Sequence, residues 1–423
     1  MLTPLLAAVT VTLSLNQAIA RGLEQNLDYR VAQEAITAAA AQLKQARAPE
    51  LPFLSVGDTY QNTNPIVRIT IPPLAPGARP LTLSEGLENV NNPNASIRFT
   101  LFDSGKTESQ VGEAAASLAV AESQARESAG ATVRTVSDDY YQLLQAQRLA
   151  AVADQALTVD QAHVKQAQQL LDAGTVARTD VLRAQTTLSN DQVAAIQAHN
   201  QVALAESSLD NALNYPVDTS LVLTDSIAAT APAISIETLR AAARANRGEL
   251  LAARFAIDAA QAAVGVARSS GLPSINLQAS EGNAQPALRS GFHAQFVLQL
   301  QAVWTLFDHG LTAGAVQRAE SEVRRANLAY RQAQQGVDLQ VKQAYLNLQA
   351  AQQGVVAAQH AVTYAEDNRR LDEERYSAGV GTALELADAQ LQATTAEQNL
   401  VKALAEQQTA LVNARFSAGL LGR

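Results

Sequence analysis

The chain is written twice, and that duplication limits what it can fold into more than any other feature. Phe102-Asp103-Ser104-Gly105 returns as Phe307-Asp308-His309-Gly310, Tyr140 as Tyr345, and Ala173-Gly174 as Ala378-Gly379, all at an offset of 205. Upstream the offset is 221: Leu13-Ser14-Leu15 matches Ile234-Ser235-Ile236, and Leu51-Pro52 matches Leu272-Pro273. The halves therefore differ by a 16-residue insertion between Pro52 and Phe102. Two copies of one supersecondary plan must build the fold. We divide the 423 residues into a first repeat at 13–215, a linking segment at 216–233 and a second repeat at 234–420.

Proline marks where long helices are possible, since it breaks a helix interior. None occurs from Asn94 to Tyr215, and none after Pro286. In the second stretch Val316, Ala319, Val323, Ala326, Tyr330, Ala333, Val337, Val341, Ala344, Leu348, Ala351, Val355, Ala358, Val362 and Ala365 step by three or four. The mean step is about 3.5, the coiled-coil period rather than that of a straight helix. Subtracting the offset gives Val111, Ala114, Leu118, Ala121, Ala125, Val136, Leu143, Ala146, Ala150, Ala153 and Leu157 in phase. Each long helix should stop at its Ala-Gly break, where Gly174 and Gly379 suit a C-cap. A second helix then runs back, its seam at Ala184, Leu188, Ala195, Ala198, Val202, Ala205 and Leu209 in one half. In the other half the seam is Ala389, Ala393, Ala396, Leu400, Ala403, Ala410 and Ala414. Apolar residues make up 47% and aromatics only 4%, which fits narrow, alanine-filled helix contacts better than an enzyme core.

Between the first helix of each half and its hairpin the period changes to two. The strand candidates are Phe53–Tyr60, Ala95–Phe102, Pro273–Ser280 and Gln295–Phe307. In the last, Phe296, Leu298, Leu300, Ala302, Trp304 and Leu306 face one way, and Gln295, Val297, Gln299, Gln301, Val303 and Thr305 the other. Apolar outside and polar inside is the pattern of an outer-membrane barrel strand. Gln61 to Pro93 reads as a long surface loop, and a shorter loop surrounds Pro286. Four strands cannot close a barrel, and open sheet edges are not tolerated in lipid. Membrane-spanning strands therefore require oligomerisation, and three copies would supply twelve.

No run reaches the roughly 18 apolar residues of a membrane-spanning helix. Ala18-Ile19-Ala20 has the form of a signal-peptidase site, but Ser14 and Ser235 occupy equivalent helix-capping positions. We therefore expect Ser14 to lie inside the mature protein, with the export signal missing or cryptic. The net charge is −9, with no basic patch, so no nucleic acid is expected to bind. There are no cysteines, which removes disulfides, thiolate metal sites and Cys nucleophiles. Ser104-Gly105-Lys106-Thr107 resembles the end of a P-loop, but its counterpart at Phe307–Gly310 marks it as a strand-to-helix junction. His163, His199, His293, His309 and His360 show no ligand spacing, and the acid pairs Asp138-Asp139 and Glu373-Glu374 point apart on helices. No catalytic, cofactor or metal site is expected, and no enzyme activity.

In this order and spacing the chain resembles the TolC-like outer-membrane efflux proteins, from Leu13 to Leu420. The junctions Leu101–Gly105 and Leu306–Gly310 and the turns at Leu171–Leu182 and Arg375–Asp388 carry the resemblance. It implies a mixed, mainly α fold: a trimeric periplasmic barrel of long helices below a 12-stranded outer-membrane β-barrel. It implies a passive exit duct of a tripartite efflux or type I secretion system, working with a periplasmic adaptor and an inner-membrane pump. It also implies that Asp180, Tyr376, Glu385 and Asp388 line the periplasmic entrance. Gly174, Thr179, Gly379 and Gly381 would form the tips that meet the adaptor. Some members carry Arg at the Gly381 position, so this chain lacks one donor of their closing network. Three copies of Glu385 and Asp388 around one axis would favour cations. The rival readings are a soluble coiled-coil protein, which needs no strands between its helices, and an adaptor, which has a single hairpin in a largely β chain.

Overall fold

The computed structural model describes residues 10–62, 67–73, 75–85, 89–216, 219–229, 232, 234–284 and 293–422. The first half runs β1 (Thr10–Leu13), α1 (Leu15–Gln25), α2 (Leu27–Arg47), β2 (Phe53–Asn62), β3 (Val67–Ile71), β4 (Leu81–Glu85) and β5 (Asn89–Phe102). It ends in the hairpin α3 (Lys106–Asp172) and α4 (Arg178–Ala212). After β6 (Ser220–Leu223) the second half runs α5 (Ile236–Asn246), α6 (Gly248–Ser269), β7 (Ser274–Ala284), β8 (His293–Val303), α7 (Leu311–Ser377) and α8 (Ala383–Ser417). Equivalent helices have equal lengths: 67 residues in α3 and α7, 35 in α4 and α8.

Two compact units result, each built from both halves. One comprises Met1–Ile36, Ala121–Ala253 and Ala329–Arg423; the other comprises Thr37–Val120 and Arg254–Leu328. The first contains two hydrophobic clusters that are copies of each other. Ala18, Val136, Leu143 and Leu209 pack together in one, and Leu239, Val341, Leu348 and Ala414 hold the equivalent places in the other. The α7 seam is followed closely: every residue named for it above is buried or half-buried. In α3 the seam leaves Leu157, half-buried, for the fully packed Ala156 and Asp160.

Helix starts are explained locally. Ser14 caps α1 through a reciprocal capping box with Gln17, and Ser235 caps α5 by accepting from the Thr238 N–H. At the two junctions the aspartate turns back onto the new helix. Thr107 N donates to Asp103 Oδ2 at 2.8 Å, and Thr312 N donates to Asp308 Oδ2 at 2.7 Å. Ser104 and His309 take the same left-handed backbone, φ 55° and 54°. The Ser-Gly-Lys-Thr stretch is thus a strand-to-helix corner, like its counterpart His309-Gly310-Leu311-Thr312.

Several expectations need correction. The first helix of each half is two helices, broken at the equivalent residues Asn26 and Arg247. Asn26 caps α2 by accepting from the N–H groups of Asp28 and Tyr29. Arg247 is 3% exposed and ion-paired with Glu127 and Glu249. Ile236–Ser269 is apolar enough to cross a membrane by composition, but this buried arginine interrupts it. The segment read as a loop at 61–93 contains the antiparallel hairpin of β3 and β4, because Val67–Ile71 and Leu81–Glu85 alternate with period two. Within the segment 216–233, β6 pairs in parallel with β1, Leu13 opposite Leu223. Strand β8 ends at Val303, short of Phe307. The loop expected around Pro286 lies outside the described residues.

Candidate functional site

The second unit carries, apart from the β3-β4 pair, a four-stranded sheet in the order β2-β5-β7-β8, antiparallel throughout. Its register sorts side chains into rows. Leu54, Ile97, Ala279 and Leu298 lie side by side, as do Phe99, Leu277 and Leu300. The alternate rows are Ser55, Ser96, Ser280 and Val297, then Phe53, Arg98, Gln278 and Gln299, then Thr100, Asn276 and Gln301. One face is therefore mainly apolar and the other mainly polar, with Glu281 joining Val56, Ala95 and Phe296 in the next row of the apolar face. On the polar face Ser55 and Ser96 share a 2.8 Å hydrogen bond and Thr100 donates to Asn276 at 3.1 Å. Strands β2, β7 and β8 have 10, 11 and 11 residues, the length that crosses a bilayer when tilted. Among the described residues, β2 and β8 each pair on one side only.

In the first unit, the turns at the ends of α3 and α7 have the same construction. Gly174 N donates to Leu171 O and Thr175 N to Leu170 O, and Gly379 and Val380 repeat this onto Tyr376 and Arg375. These are Schellman closures, and both glycines sit at φ 75°, which a Cβ would strain. Both are exposed, as is Thr179 in the first turn of α4.

The two tips then diverge. Asp180 and Glu385 are equivalent in sequence, each near the start of its returning helix. Thr382 and Glu385 form a capping box, with Thr382 N donating to Glu385 Oε2 at 2.9 Å and Glu385 N to Thr382 Oγ1 at 3.2 Å. The bond from the Thr382 backbone, then that from its hydroxyl, holds the Glu385 carboxyl below its ordinary value. The other tip has Ala177 at the capping position, which makes no side-chain bond. Asp180 instead lines a cavity together with Tyr376. Burial, and secondarily the charge of Asp180, pushes the Tyr376 phenol up. Of the four expected entrance residues, the structure thus brings Asp180 and Tyr376 together. Glu385 is tied to its own helix start, and Asp388 is exposed one turn later. Gly381 packs against the chain: a Cβ there would meet Tyr376 N at 3.0 Å and Arg375 Cβ at 3.1 Å. The arginine that some relatives carry would need this turn to shift.

The same cavity contains residues that the sequence reading passed over. Asp160 and His163 of α3 and Asp191 of α4 line it, with Gln390 of α8. The clue was available, because Asp160 continues the alanine seam where a carboxylate is costly.

The sequence matches the outer membrane efflux protein family over residues 18–215 and 239–420. The chain belongs to that family. It is 28% identical over 428 residues to protein CyaE of Bordetella pertussis, covering 97% of this chain and 85% of that protein. It is 24% identical over 410 residues to the probable efflux pump outer membrane protein TtgC of Pseudomonas putida, covering 95% and 81%. Among solved structures, a membrane protein from Pseudomonas aeruginosa superposes with a TM-score of 0.80 at 22% identity, covering 96% of this chain and 93% of that one. The outer membrane protein VceC of Vibrio cholerae gives 0.79 at 19% identity, covering 96% of both. The fold is that of the TolC-like channels, mainly helical with a β-sheet portion. This outer-membrane efflux protein is a channel component with a large periplasmic helical part, and family and sheet together favour that reading over a coiled-coil rod or an adaptor.

Proposed function

We propose that three copies close a single passive duct, each giving four strands to a twelve-stranded barrel, and that the duct performs no bond chemistry. The observation that carries this reading is the sheet β2-β5-β7-β8, mainly apolar on one face, mainly polar on the other and with an edge strand at each side. Lipid does not tolerate unpaired backbone edges, so edge must meet edge on a neighbouring copy. Exposed apolar residues on α7, among them Leu328, Leu339, Leu346 and Leu371, suit contacts between copies along the helical part. The units of duplication are the repeats at 13–215 and 234–420 with the link at 216–233. An inner-membrane pump would drive transport, and a periplasmic adaptor would dock at the tips around Gly174, Thr179, Gly379 and Gly381. Membrane-extracted protein is expected to run in detergent near three chains of 44.7 kDa, about 134 kDa. A monomer soluble without detergent would overturn the shared barrel.

The gate follows from the asymmetry of the tips. Tyr376 and Asp180 would hold the entrance shut, with the exposed Asp388 and the capped Glu385 supplying a negative rim. Tyr376→Phe removes only a hydroxyl. In the closed duct that hydroxyl would donate to Asp180, and because such a bond to a charged group contributes roughly 1.5 kcal/mol or more, the closed-to-open ratio should fall about tenfold. Single-channel recording in planar bilayers reads this as a rise in open probability, and an unchanged record would remove Tyr376 from the gate.

A further inference from the structure

The cavity between α3, α4, α7 and α8 measures about 90 Å³. Asp160, on α3, is 4% exposed, and its Oδ2 is buried without a hydrogen-bond partner. Gln390, on α8, is 9% exposed, and its Oε1 is likewise buried and unpartnered. Asp160 and Asp191 line this cavity together, and two carboxylates can bond only through a proton. Among the described residues, neither acid forms an ion pair with a lysine or arginine. His163 does not supply the missing charge, because burial pushes its imidazole toward the neutral form.

The repeat shows that the fold has no need of this pair. At the offset of 205 the equivalents of Asp160 and Asp191 are Ala365 and Ala396. In the second half both positions are alanine, Ala365 half-buried and Ala396 only 7% exposed. The first half places two acids at these positions, and both line the cavity.

We propose that this cavity is a binding site for a small organic ammonium ion, which competes with the shared proton for the Asp160–Asp191 pair. Asp160, Asp191 and Gln390 line it together, two carboxylates and an amide, and a primary ammonium has three N–H donors to offer such groups. Ala167, Leu386, Leu391 and the Tyr376 ring supply walls for a short alkyl chain and a face for the cation. The volume equals about three waters at roughly 30 Å³ each, enough for a small amine. A divalent metal would want about six oxygen ligands, and no three metal-binding side chains cluster among the described residues. The site shares the Tyr376 ring with the gate but takes its acceptors from Asp160, Asp191 and Gln390, which the gate does not require; Tyr376→Phe keeps the ring, so either proposal can fail alone.

The pH dependence has a definite sign. Burial first, then the bond and charge of Asp191, push Asp160 up to about 7. Its folded value lies above the ordinary 3.8, so the neutral acid stabilises fully below that value, and this stability is lost as the pH rises through about 7. The charged and titratable groups facing the pair are His163 on α3, Asp180 and Arg183 on α4, and Tyr376 on α7; α8 presents the neutral Gln390 and Thr394. Arg369 and Glu373 of α7 act on His163 from nearby. Raising the pH from 6 to 8 frees the pair for the cation and should tighten binding about tenfold.

Isothermal titration of the full-length, detergent-solubilised protein with butylammonium chloride tests this. Saturable binding is expected at pH 8, about tenfold weaker at pH 6. Near pH 7, buffers of different ionisation heat should reveal proton release, up to one per site. Asp160→Asn should abolish both binding and proton release. The double variant Asp160→Ala with Asp191→Ala copies the second repeat and provides a folded control that should not bind. Tetramethylammonium, with no N–H, should not bind the wild type. Absence of saturable binding at pH 8, binding without proton release, retention in the double variant, or equal binding of tetramethylammonium would each overturn the site.

Discussion

Leu298→Arg should abolish the detergent-resistant trimer, while Gln299→Arg, one residue along the same strand, should leave it intact. Leu298 is near the middle of β8 and sits in the row Leu54, Ile97, Ala279 and Leu298, whereas Gln299 lies in the row with Arg98 and Gln278. Successive residues on a strand point to opposite faces. If the aliphatic rows meet lipid, an arginine at that depth costs about 2–4 kcal/mol in each copy, and a trimer carries three. On the polar face the same charge enters water and joins Arg98, which the sheet already tolerates. The comparison holds strand, charge and helix content constant and changes only the face. Trimer yield in the outer membrane, read by unheated gel electrophoresis after extraction, is the measurement. Equal yields from the two variants would mean that the aliphatic face does not meet lipid.

The repeat made most of the fold readable, because each half checks the other. The α7 seam from Val316 to Ala365 needed only the heptad step, and its counterpart in α3 followed by subtraction. Failures came where one half lacks the other's feature. The segment 61–93 carries the 16-residue insertion, which has no copy for comparison, and its prolines and asparagines masked the alternation in Val67–Ile71 and Leu81–Glu85. The breaks at Asn26 and Arg247 are equivalent in place but not in cause. One is a side-chain cap visible in sequence; the other depends on burial against Glu127, far along the chain. At the tips, spacing placed Asp180 and Glu385 as equals. Only the capping residues, Ala177 and Thr382, decide which acid is consumed by its helix and which faces the cavity. The Asp160–Asp191 pair was hidden for a simpler reason. The two residues are on different helices, and no spacing rule joins them.

The same inequality of equivalent residues gives a large expected effect at Tyr140. Tyr140 and Tyr345 are copies at the offset of 205, yet they do different work. Tyr140 is fully buried, and its hydroxyl donates to Asp225 Oδ2 at 2.8 Å and to Leu13 O at 3.1 Å. Asp225 Oδ2 also accepts from Leu15 N at 2.7 Å, and Thr224 N donates to Leu13 O at 3.0 Å. The ring therefore holds the β1–β6 pair and the start of α1 against α3. Tyr345 is half-buried, and its hydroxyl accepts from Gln349 one turn along its own helix. Truncating a buried aromatic costs about 3–5 kcal/mol, so Tyr140→Ala should lower hydrogen-exchange protection at Leu13 and Leu221–Leu223 by roughly 150-fold or more. Tyr140→Phe keeps the ring and removes a bond to a charged group, worth about 1.5–3 kcal/mol, so protection there should fall by at least about tenfold. Tyr345→Phe should change protection around Val341 and Leu348 little, since its bond partner is exposed to water. Equal responses at Tyr140 and Tyr345 would mean that the knot around Asp225 adds nothing beyond packing. A larger loss at Tyr140 would show that duplication supplied two identical rings and that the single link between the halves gave one of them its anchoring role.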